Sequence, residues 1–143
     1  MIAVRIEIKR IDSDKSIKTT GLLDTGFAST DPMLPEIYIP ARLAEKMGFK
    51  LNRGLHIKST ISIYEIDLNI LGDVDVRLCV NDRDTPWVKA VAVTTPIGVP
   101  YVVLSSELIE DLNIAIISLR GLGVWSFKDE IGKFRSGEPI ECW

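Results

Sequence analysis

Short runs of alternating or β-branched residues, cut about every 8–12 positions by turn chemistry, constrain this chain more than any other feature. Ile2-Ala3-Val4-Arg5-Ile6-Glu7-Ile8-Lys9 alternates apolar with polar, the pattern of a strand with one buried face. Asp12-Ser13-Asp14 is turn chemistry, and residues 17–23 read as a returning strand. Strand-like enrichment continues through residues 55–57, 61–70, 74–80, 88–94 and 101–104. The breaks fall at Gly54, Gly72-Asp73, residues 81–86 and residues 96–100. Residues 114–119 and 124–127 add two more strand-like runs around Gly121 and Gly123. Only two segments read as helix. Pro40 opens and Gly48 closes a run of good helix formers with Leu43 and Met47 on one face. In the second, Ser106 is the expected cap, Leu108, Ile109 and Leu112 form the apolar stripe, and Asn113 suits the left-handed closing position. The expected fold is therefore mostly β, a small closed and mainly antiparallel barrel with two short helices.

At 143 residues, with 46% hydrophobic and 26% charged, the chain fits one domain over residues 1–143. A net charge of −3 gives no electrostatic reason to expect a nucleic acid or an anionic membrane as partner. Apolar runs are too short to span a bilayer, and the N-terminus lacks the form of a signal peptide, so a cytoplasmic location is expected. Cys79 and Cys142 have no metal-ligand or disulfide-framework spacing. No metal or organic cofactor is expected. A mean hydropathy of +0.18 hints at apolar surface covered by a partner.

The segment that can carry chemistry is Leu22-Leu23-Asp24-Thr25-Gly26-Phe27-Ala28, where an apolar strand runs into an acid, a hydroxyl and a glycine. One reading is a strand ending in a turn, with Asp24 accepting local hydrogen bonds and Gly26 supplying a positive φ. Other candidates carry less. His56 has no neighbouring Ser or Cys signature and reads as a strand or surface residue. The acid pairs Asp73/Asp75 and Asp82/Asp84 read as solvated charges at turns. Gly121-Leu122-Gly123 lacks the third glycine and the helix of a dinucleotide loop. Trp87, Trp125 and Trp143 do not share a basic stripe.

The apolar-apolar-Asp-Thr-Gly sequence after an N-terminal hairpin resembles the retropepsin-like aspartic proteases. Phe27 after the triplet, Leu34-Pro35, and a helix ending Met47-Gly48-Phe49 are similar to the small single-domain prokaryotic branch. Val102-Val103-Leu104 feeding a short helix resembles the second hallmark of that family, an apolar-apolar-Gly strand before a helix. The chain departs from it in having Leu104 or Ser105 where the glycine stands, and in a longer stretch over residues 29–32. The resemblance spans about residues 1–120. It implies an acid-protease β-barrel in which Asp24 is catalytic, with Thr25 and Gly26 supporting the catalytic loop. A substrate groove would take in Phe27 and Ala28. It would also take in Thr60, Ile61 and Ser62 of a hairpin flap near residues 57–64, with residues 59–62 as its turn. Peptide hydrolysis by this chemistry needs two carboxylates sharing one proton, whereas the chain has a single Asp-Thr-Gly. A two-fold homodimer supplies the second copy, giving an endopeptidase that acts on peptide or protein substrates. The other readings are a non-catalytic retropepsin-like module for dimerisation or peptide binding, and a small barrel in which the triplet is only a turn. For residues 131–143 the expectation is either an added interface strand, through Ile140 and Trp143, or a cap on the barrel.

Overall fold

The structure, a computed structural model, describes residues 1–29, 34–50, 56–61 and 64–143. Its strands are β1 (Ala3–Arg10), β2 (Ser16–Leu23), β3 (Phe27–Ser29), β4 (Glu36–Tyr38), β5 (His56–Ile61), β6 (Tyr64–Leu78), β7 (Val88–Thr94), β8 (Val102–Leu104), β9 (Ile114–Ser118), β10 (Val124–Phe127) and β11 (Arg135–Ser136). The helices are α1 (Ala41–Lys46) and α2 (Ser106–Asp111). Strands β1, β2, β8, β4, β7 and β6 follow one another in hydrogen-bonded order, and β6 returns to β1. The result is a closed six-stranded barrel, mostly antiparallel, with β2–β8 and β4–β7 parallel. Closure removes the free edges that a short open sheet would expose. Strands β5 and β3 continue from β6 beyond the barrel, and β9, β10 and β11 form a separate small sheet.

The core is double. Ile6, Ile8, Leu23, Leu43, Val74, Val76, Leu104 and Leu108 belong to the main cluster. Leu22, Phe27, Tyr38, Leu68, Val93 and Val103 belong to a smaller second one. Neighbours in a strand point to opposite faces, so Leu22 and Leu23, or Val103 and Leu104, supply the two clusters alternately. This is why β2 and β8 end in continuous apolar residues while β1 alternates.

Strand β6 reaches both clusters by a bulge. Its register against β7 shifts between Ile70 and Gly72, so Leu71 has no cross-strand partner. One extra residue reverses the parity. Leu68 therefore serves the second cluster while Val74 and Val76, also even-numbered, serve the first. The expected break at Gly72-Asp73 is thus a bulge inside one long strand. Asp73 and Asp75 correspondingly lie in β6 opposite Val91 and Lys89, not in a turn.

The helices form close to where the sequence puts them, with one correction. Ser105, not Ser106, is the cap of α2, its Oγ accepting from the Leu108 amide. The serine that caps must precede the first helical residue with extended backbone, which Ser105 does. Asn113 takes φ 64° at the end of this helix, and Gly48 takes φ 86° after α1.

The C-terminal stretch is tied to its own barrel. The Glu138 amide donates to Ala3, that of Glu141 to the Thr20 hydroxyl, and that of Trp143 to the Pro100 carbonyl. Three backbone donors of the tail thereby find partners within the chain.

Candidate active site

Asp24 sits where β2 ends, and the parallel ladder to β8 fixes its position. Gly21, Leu22 and Leu23 pair with Val102, Val103 and Leu104, and the Asp24 amide donates to the Leu104 carbonyl at 3.3 Å. The chain then turns back at once. The Phe27 amide donates to the Asp24 carbonyl at 3.1 Å, and the Gly26 amide donates to Asp24 Oδ1 at 2.9 Å. This is an Asx-type turn held by the acid itself. Gly26 makes it without left-handed backbone, for the positive-φ glycines among the described residues are Gly48, Gly72, Gly121, Gly123 and Gly132. Phe27 is fully buried in the second cluster, a burial that contributes about 1.5–3 kcal/mol and fixes the exit from the turn. Thr25, at the crest, is exposed, and Asp24 is half-buried.

A cleft of about 570 Å³ opens beside this turn, within the usual range for ligand pockets. Its lining is apolar: Leu22, Phe27, Tyr38, Ile61, Ile66, Leu68, Ile97, Val99, Tyr101 and Val103, with Met1 also bordering it. Asp24 and Asp67 are its acids. Asp67 is opposite Lys58 in the β5–β6 ladder, on the row that alternates with the pair of partly buried Ile57 and buried Leu68. Asp24 is therefore the acid presented among the cleft's apolar side chains.

The residues expected from sequence separate here. Asp24, Phe27 and Ile61 meet at the cleft. Ala28 and Thr60 are paired with each other on β3 and β5, next to Phe27 and Ile61, but do not line it. Thr25 and Gly26 belong to the turn rather than to the cleft lining. The hairpin is present as β5 and β6, but residues 59–61 are strand, not turn, and the ladder still pairs Ile61 with Tyr64. Ser62 and the longer stretch at residues 30–32 lie outside the described residues. The sequence reading missed the residues that complete the cleft, namely Tyr38 and the 95–101 loop. Two prolines, Pro96 and Pro100, marked that loop as a break without indicating that it would fold against the acid.

Beneath the turn is a polar brace. Glu36 is fully buried, and the Ser59 hydroxyl lies 2.7 and 3.0 Å from its two carboxylate oxygens. The Glu36 amide donates to Ser105 Oγ at 2.9 Å, while the Ser105 amide donates to the Glu36 carbonyl at 3.1 Å. Ser105 follows Leu104, the residue that holds the Asp24 amide. The middle of strand β5, strand β4 and the start of α2 are thereby tied together behind the acid. A serine where the resemblance calls for glycine is accommodated, since its side chain is buried and hydrogen-bonded.

The chain matches no protein-family model, no curated protein and no solved structure. What the site can do has to be argued from its own geometry. A half-buried carboxylate at an apolar cleft, beside a hairpin, can activate water or hold a polar group of an otherwise apolar ligand. Among the described residues no cluster of three or more His, Cys, Asp or Glu could hold a metal ion.

Proposed function

We propose that the chain is an aspartic-type endopeptidase, a hydrolase of the retropepsin-like kind, that acts as a homodimer with Asp24 and its copy from a second chain as the catalytic pair. The observation that carries this reading is the placement of Asp24, on a tight turn after a barrel strand and at the wall of an apolar cleft bordered by residues of a hairpin. The exposed Thr25 at the crest of that turn, with Met1 at 69% and Ile97 at 94% exposure around the cleft, offers a second chain both a polar and an apolar contact.

In the dimer two like charges a few ångströms apart do not both ionise, so the pair holds one proton. The ionised member takes a proton from water as the water attacks the peptide carbonyl. The protonated member donates to the carbonyl oxygen. In the second half the newly protonated member gives its proton to the amide nitrogen, the other takes one back from a hydroxyl of the gem-diol as its C=O re-forms, and the C–N bond breaks, returning the pair to its starting state. The extended substrate is held by main-chain hydrogen bonds and by its apolar side chains in the cleft.

Asp24→Asn tests this directly. The expected result is a loss of about 10⁴-fold in kcat/KM on a denatured protein substrate, at the upper end for general acid–base groups, with the dimer retained in sedimentation. A statine-type transition-state mimic should block the wild-type protein. Cleavage that survives in Asp24→Asn would overturn the mechanism. A stable dimer that turns over no denatured protein would favour the non-catalytic peptide-binding module.

A further inference from the structure

We propose that Tyr38 is a specificity-setting positioning residue: its hydroxyl latches the 95–100 loop as a wall of the Asp24 cleft, and so sets how large an apolar substrate side chain the cleft takes. The inference rests on reading this cleft as the peptide-binding site of the proposed endopeptidase.

The loop leaves β7 at Thr95 and returns to the barrel through Pro100. Thr95, Ile97, Gly98 and Val99 all border the cleft, yet the loop has few anchors. Ile97 is 94% exposed and gives it no packing. The one internal bond is the Gly98 amide donating to Thr95 at 3.4 Å, which is long. Among the described residues, two hydrogen bonds from outside hold it. The Tyr38 hydroxyl donates to the Val99 carbonyl at 2.9 Å, and the Trp143 amide donates to the Pro100 carbonyl at 2.8 Å.

Tyr38 is built for this role. Its ring is buried in the second cluster with Leu22, Phe27 and Val103, so the phenol oxygen has a fixed position. Burial pushes the phenol's pKa up, which keeps it a donor through the neutral range. Gly98 lies so close over the phenol that a Cβ there would stand 2.0 Å from the hydroxyl oxygen. A hydroxyl was not needed for packing a core tyrosine, and glycine was not needed for left-handed backbone, since Gly98 is not among the positive-φ glycines. Close approach of loop to phenol accounts for both.

The test uses Tyr38→Phe, which keeps the ring in the core, and Gly98→Ala, which forces the loop off the hydroxyl from the other side. Both are placed in the Asp24→Asn protein, so that binding is read without turnover. The probes are labelled randomised heptapeptide pools whose central residue is fixed as Ala, Leu or Phe. The ratio of Phe-pool to Ala-pool affinity should change about fivefold in Tyr38→Phe, the worth of one hydrogen bond. Gly98→Ala should shift it in the same direction, and the double variant should add little, because both changes release the same contact. Hydrogen exchange at the amides of residues 97–99 should quicken in each. An unchanged ratio in Tyr38→Phe, additive effects, or unaltered exchange would overturn the latch while leaving the cleft's assignment standing. Failure of every pool to bind the dimeric Asp24→Asn protein would overturn the cleft's assignment itself, and the latch with it.

Discussion

Ser105 satisfies two buried backbone donors with one oxygen, those of Glu36 and Leu108. Ser105→Ala should therefore lower stability by about 1–2 kcal/mol in denaturant unfolding, the loss of a helix cap with a second donor stranded beside it. Ser105→Gly restores the residue type of the resembled hallmark but not the oxygen, and it should be no more stable than the alanine variant. Glu7 gives a pH-dependent counterpart. Its carboxylate accepts from the Ser16 hydroxyl and pairs with Arg77 at 2.7 Å, which together hold its pKa below the ordinary 4.5 despite burial. A carboxylate depressed in the folded state contributes stability that is full above its unfolded pKa and fades as pH falls through the folded one. Glu7→Gln should cost about 1–3 kcal/mol at neutral pH, and the difference from wild type should shrink steadily as unfolding is measured from pH 5 downward. A gap that stays constant with pH would show that Glu7 acts through packing.

Among the elements, β6 is the one whose geometry the chain could least spare. Its bulge lets one strand feed both clusters, and Gly72 sits there at φ 150° with the Phe49 ring 3.3 Å from where a Cβ would lie. Gly72→Ala should cost about 1–3 kcal/mol, combining backbone strain with a crowded ring, and near-UV spectra should report the disturbance. The same strand shows what the sequence could reveal. The strands at residues 3–10, 16–23, 88–94 and 102–104 and both helices follow from local signals of alternation, capping and helix punctuation. The bulge does not, because a glycine followed by an acid has the composition of a turn whether or not the strand continues, and only the β7 partner decides. Likewise Asp24 was legible because its motif is contiguous. Tyr38, Val99 and Trp143 were not, being brought together from positions scattered over most of the chain by barrel closure.

For the whole molecule, the proposed chemistry makes activity a property of pairs. Specific activity should fall on dilution below the dissociation constant of the dimer, which an activity series set against sedimentation can check. Mixing in inactive Asp24→Asn chains gives a sharper test. At equal amounts of wild-type and variant chain, free exchange leaves each wild-type chain a roughly even chance of a wild-type partner. Activity per wild-type chain should then drop to roughly half. Activity that stays proportional to wild-type chain alone would mean that one Asp24 suffices. The parallel pairing of β2 with β8 carries a further consequence, in time rather than in space. Gly21 meets Val102, so the strand that positions the acid is completed by a partner far downstream in the chain. Such non-local pairing slows folding, and synthesis proceeds from the N-terminus. The acid is thus made early and positioned late, so a growing chain carries no formed site until the strand that closes its barrel has emerged.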